Sequence, residues 1–95
     1  MGTEPVKVAF RVHGRVQGVG FRYFVLEASE SLGLSGFVRN EWDGTVTGMA
    51  EGEASLLEAL RDALERGNGF SRVTRLDWHP LSEGESLPFP FEIRR

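Results

Sequence analysis

The chain has 95 residues, 11 Lys plus Arg against 14 Asp plus Glu, two His and no Cys, and 40% of it is apolar. A chain this short supports one core, burying roughly 60 to 70% of the unfolded surface, which predicts a single domain over residues 1–95. The lack of cysteine excludes a disulfide framework, thiolate catalysis and sulfur-ligated metal, and a net charge of −3 with scattered basic residues argues against a nucleic-acid footprint.

His13 and His79 lie far apart in sequence and form no metal-ligand pair. No apolar run reaches the about 18 residues that a membrane span requires, and Met1 to Lys7 lacks the basic and apolar regions of a signal peptide. A cytoplasmic protein with no membrane partner is therefore expected.

Val6, Val8, Phe10 and Val12 alternate with mostly polar residues, which predicts a strand over Val6 to His13 with one buried side. Gly14 to Gly20 loses that alternation and reads as a loop. Phe21, Val25, Ala28 and Leu32 then fall on one helical stripe, which Gly33 ends. Gly36 to Glu41 and Thr45 to Ala50 flank Trp42-Asp43-Gly44, a hairpin signal.

Leu56, Leu57, Leu60, Ala63 and Leu64 predict a second helix, with Ser55 and Glu58 as its capping box and Gly67 and Gly69 at its end. Ser71 to His79 reads as a strand, with Thr74, Leu76 and Trp78 on one side and Pro80 closing it. Leu81 to Pro88 is a solvated acidic loop, and Phe89, Phe91 and Ile93 suggest a short edge strand. The order is βαββαβ, an α+β ferredoxin-like sandwich: a four-stranded antiparallel sheet, two helices on one face and a short C-terminal edge strand.

The chemistry concentrates where the loop Gly14 to Gly20 enters a helix. Backbone N–H groups at such an end lack helical partners and attract anions, and glycines let the chain wrap closely around a phosphate-sized group. The spacing fits neither a Walker A loop nor G-x-G-x-x-G, so the glycines alone also fit plain chain geometry. Arg22 favours the anion: a cation in the first helical turn opposes the helix dipole unless a negative group sits beside it. Asn40 reads either as a turn former for the hairpin or as a neutral amide that positions water.

Val12-His13-Gly14-Arg15-Val16-Gln17-Gly18-Val19-Gly20-Phe21-Arg22, Leu32-Gly33-Leu34-Ser35-Gly36-Phe37-Val38-Arg39-Asn40 and Asp43-Gly44-Thr45-Val46 closely resemble the acylphosphatase family. The likeness is strong over residues 8–52 and looser beyond. It implies hydrolysis of a carboxyl-phosphate anhydride to a carboxylate and inorganic phosphate, with no metal or cofactor and with free phosphate as product and competitive inhibitor; the short, polar-surfaced chain is expected to be a monomer. In the matching positions the amides of Arg15, Val16, Gln17, Gly18, Val19 and Gly20 would cradle the phosphoryl oxygens. Arg22 would bind and neutralise them, and Asn40 would orient the attacking water.

Family members often carry Gly-Pro after the second helix, whereas this chain has Asn68-Gly69-Phe70-Ser71, a departure that touches the local turn and not the site. His13 is expected on the outer strand face, His79 in a structural role, and Trp42, Trp78, Phe70, Phe89 and Phe91 in core or rim packing. The rival readings are a non-catalytic phosphate-binding or regulatory domain, and an RNA-recognition module. Thr45 to Ala50 lacks the aromatic residues that RNA recognition needs.

Overall fold

A computed structural model describes residues 4–95; Met1 to Thr3, part of the leader reading, lie outside them. Strand β1 covers Val6–Arg15, helix α1 Phe21–Ser31, β2 Ser35–Asn40, β3 Val46–Gly52, α2 Ala54–Arg66, β4 Arg72–Leu81 and β5 Glu92–Arg94. They form a five-stranded sheet in the order β4-β1-β3-β2-β5. Pairing is antiparallel except between β2 and β5, where Val38 stands beside Ile93. This is the ferredoxin-like sandwich expected from the sequence, edge strand included.

Alternation along the strands divides the sheet into two faces. Val8, Phe10 and Val12 of β1, Val38 of β2 and Val46 and Ala50 of β3 are buried together with Phe21 and Val25 of α1, Leu57, Leu60 and Leu64 of α2, and Phe91. The other face carries Arg11, His13, Arg39, Glu41, Thr47 and Asp77, linked by hydrogen bonds among themselves and to neighbouring residues. Helix α1 ends as its sequence predicts: Gly33 N–H donates to Glu30 C=O and Leu34 N–H to Ser29 C=O, the paired bonds of a Schellman motif. Among the described residues no helix is long and apolar enough to cross a membrane.

Several local expectations are corrected. Strand β1 continues through Gly14 and Arg15, because β4 offers partners there across a register shift at His13/Gly14. That shift leaves Thr74 without a partner and exposed, while Val73, Leu76 and Trp78 pack on the core. Pro80 does not close β4, which runs to Leu81 opposite β1. An edge strand can lack an N–H on its outer side without losing a ladder bond. The Ser55/Glu58 capping box does not form: α2 begins at Ala54, and its extended N-cap Glu53 makes no side-chain cap bond. Trp42, Phe70 and Phe89 are exposed rather than packed, whereas Trp78 stacks on Phe10 with ring centroids 6.3 Å apart.

Candidate active site

The segment between β1 and α1 is built to present amides. Gly18 and Gly20 adopt φ of +74° and +75°, and no non-glycine among the described residues has positive φ, so left-handed glycines alternate here with residues of negative φ. Such alternation turns successive N–H groups toward one concavity. Among the described residues, no backbone N–H of 16–20 has a hydrogen-bond partner. Gly20 is the N-cap of α1 and no acidic side chain occupies the first turn, so the positive helix end is left unsatisfied there.

Side chains hold this loop from three directions. Val16 is buried in the core. Gln17 Nε2 donates to Glu41 C=O (2.8 Å) and Thr45 C=O (2.9 Å), fastening the loop to the base of the β2–β3 hairpin. Asn68 Nδ2 donates to Val19 C=O at 2.8 Å. The turn after α2 thus touches the loop, which corrects the expectation that its departure from the family pattern leaves the site alone.

Asn40, the last residue of β2, lies two residues beyond buried Val38 and therefore faces the helix layer. Its Oδ1 is buried without a hydrogen-bond partner. Half-buried Arg22, one residue into α1, has no ion pair or side-chain hydrogen bond among the described residues. Arg22 and Asn40 line one open cleft of about 560 Å³ with Tyr23, Ile93 and Arg95. None of Arg15, Val16, Gln17, Gly18, Val19 and Gly20 lines that cleft; they precede Arg22 in the chain, with Arg15 at the end of β1 opposite Arg72.

Tyr23, Ile93 and Arg95 escape sequence reading because the parallel pairing of β5 with β2 is what brings the last two beside Asn40. The tethering amides of Gln17 and Asn68 are likewise visible only in three dimensions. A second depression, about 420 Å³, lies on the open sheet face between Arg11, Arg39, Glu41, Asp77 and His79, and contains neither Arg22 nor Asn40. His13 is on that face as expected, bonded through Nε2 to Asp77 at 2.9 Å. The His13 and Arg75 bonds hold the Asp77 carboxyl below its ordinary range. His79 is exposed there, which does not fit a structural role.

The fold is a ferredoxin-like sandwich in which Arg22 and Asn40 line one cleft and a glycine-rich loop leads into the helix that carries Arg22. The acylphosphatase family model matches residues 8–93. An acylphosphatase of Mannheimia succiniciproducens is 46% identical over 82 residues, covering 86% of this chain and 91% of that one. The crystal structure of an acylphosphatase from Bacillus subtilis superposes with a TM-score of 0.90 at 37% identity, covering 95% of this chain and 99% of the other. One from Coxiella burnetii gives 0.85 at 32%, with 96% and 94% covered. The chain belongs to the acylphosphatase family and is a hydrolase of acyl phosphates.

Proposed function

We propose that this cleft hydrolyses acyl phosphates with Arg22 and Asn40 in distinct roles. Arg22 and the amides of residues 15–20 hold the phosphoryl oxygens, and Asn40 orients a water for in-line attack on phosphorus. The bond from phosphorus to the carboxyl oxygen breaks, the carboxylate leaves, and the water's proton passes to a phosphoryl oxygen. Phosphoryl transfer of this kind needs positioning and charge stabilisation more than covalent help, and a carboxylate is a good leaving group, so the residues act without a metal or cofactor. Inorganic phosphate, as product, competes for the same cradle. We place this activity in one domain acting as a monomer in the cytoplasm.

The observation that carries the reading is the shared cleft: an unpaired guanidinium in the first turn of α1 and an amide with an unsatisfied oxygen line the same opening. A buried polar atom without a partner costs about 1–3 kcal/mol. A water that donates to Asn40 Oδ1 would recover that cost.

The test is release of carboxylate and phosphate from benzoyl phosphate at neutral pH with chelator present. Wild type turns over, Arg22→Ala loses both turnover and phosphate inhibition, and Asn40→Ala loses about 10² or more in kcat with phosphate affinity retained, as for removal of a transition-state hydrogen bond. Phosphate binding without turnover by wild type would leave a non-catalytic anion-binding domain. Unfolding of Asn40→Ala would make Asn40 a hairpin residue.

A further inference from the structure

Asn68 uses its side chain in two directions. Its Oδ1 accepts from the backbone N–H groups of Phe70 (3.0 Å) and Ser71 (2.9 Å), while Nδ2 donates to Val19 C=O at 2.8 Å. Its own N–H donates to Ser71 Oγ at 3.1 Å. Flipping the amide would set Nδ2 against two donors and Oδ1 against a carbonyl, so the network admits one orientation.

The consequence follows from peptide planarity. The Val19–Gly20 bond is trans, the single cis bond among the described residues being Phe89-Pro90, so Val19 C=O and Gly20 N–H point in opposite directions across one rigid plane. A carbonyl pulled toward the turn after α2 sends the Gly20 N–H the other way, away from that turn. The same hydrogen bond polarises the peptide and strengthens Gly20 N–H as a donor. Around Gly20, nothing approaches the would-be Cβ closer than Asn68 Nδ2 at 4.0 Å, and the Gly20 C=O accepts from Phe24 N–H at 3.1 Å. Val19 packs against the core on one side of that plane and Gly20 caps α1 on the other, and the Asn68 bond is the hydrogen bond made by the Val19 C=O itself.

We propose that Asn68 is a positioning residue, which aims the Gly20 amide at the phosphoryl group by holding the Val19 carbonyl. The inference rests on the phosphate-cradle reading above and adds a residue from a turn that reads in sequence as remote from the site. Asn68 touches no substrate; its effect passes through one peptide plane.

Two variants separate aiming from turn building. Asn68→Ser keeps a hydroxyl acceptor for the turn but has no amide long enough to reach Val19, and Asn68→Asp keeps Oδ1 while losing the donor, its added charge being screened at high salt. Ser71→Ala disturbs the same turn without touching the Val19 bond. The measurements are phosphate Kd by calorimetry, kcat and KM on benzoyl phosphate, thermal midpoint, and the phosphate-induced shift of the Gly20 amide by NMR.

Both Asn68 variants are expected to weaken phosphate binding about tenfold, the loss of one well-aimed hydrogen bond, to lower kcat, and to lose the Gly20 shift while Gly18 keeps its own. Ser71→Ala lowers the thermal midpoint and leaves Kd within about twofold. Wild-type phosphate affinity with an intact Gly20 shift in a folded Asn68 variant overturns the inference, and so does an equal loss in Ser71→Ala. Failure of wild type itself to bind phosphate would instead bring down the cradle reading, and this inference with it.

Discussion

Ser29 lies on the core-facing side of α1 with no exposed surface, and its hydroxyl has no hydrogen-bond partner. A buried hydroxyl without a partner is a net loss on folding, and serine is also a weaker helix former than alanine. Ser29→Ala should therefore stabilise the chain by about 1 kcal/mol, raising the melting midpoint by roughly 4–8 °C in a domain of this size. Thermal unfolding followed by circular dichroism checks this, and a lower midpoint would mean that the hydroxyl is satisfied after all. Asn40 carries the only other unpartnered buried side-chain oxygen among the described residues. The two atoms have the same physical fault in different places: Ser29 faces packed side chains, and Asn40 faces the cleft.

At the scale of the element, the β2–β3 hairpin is the part most dependent on ionised carboxyls. The Glu41 carboxylate accepts from Thr47 Oγ1 and Arg39 Nε, and these bonds lower its pKa from the ordinary 4.5. Asp43 accepts from the Thr45 hydroxyl and backbone N–H, with Arg11 alongside, and is lowered from 3.8. Because both groups bind protons more weakly when folded, the unfolded chain takes up protons first. Their contribution is complete above the ordinary carboxyl range and drains away as pH falls through the lower folded values. Melting midpoints should accordingly decline between about pH 5 and pH 3, and Glu41→Gln should flatten part of that decline. A midpoint insensitive to acid would remove these carboxylates from the account.

The same elements show what a sequence can and cannot reveal. Helix α1, its Gly33 stop and the hairpin were readable because periodicity and turn chemistry are local. The ends of β1 and β4 were not, since a neighbouring strand decides whether Gly14 or Pro80 stays in a ladder. Half of the cleft follows the same division. Arg22 announces itself as a cation at the wrong end of a helix dipole, and Asn40 sits on a readable strand. Ile93 and Arg95 arrive through the pairing of β5, and Asn68 through an amide that spans two loops distant in sequence.

For the molecule as a whole, an anion held by the folded loop should couple to global stability. At phosphate concentrations about 100 times Kd, linkage predicts about 2.7 kcal/mol of added stability. That is a rise of roughly 10–20 °C in midpoint for a chain of this length. Arg22→Ala should lose most of the rise, and sulfate or phosphate titrations followed by thermal melts would show it. An equal rise in both proteins would point to ion exclusion acting on the whole surface rather than to a bound anion.

The two rims of the sheet bear on how the chain behaves in a crowd of its own copies. An open sheet offers unpaired N–H and C=O groups along its outermost strands, and those groups can template the addition of another chain. Here one rim is β5, only 3 residues long, and the other is β4, which carries Pro80 near its end and the Arg75–Asp77 pair within it. Pro80 removes one donor near the end of β4, and the Arg75–Asp77 pair puts charge in its middle. The short β5 gives a newcomer too little length to hold. Each rim of the sheet thus carries a feature that disfavours the addition of another strand: brevity at β5, and charge and proline at β4.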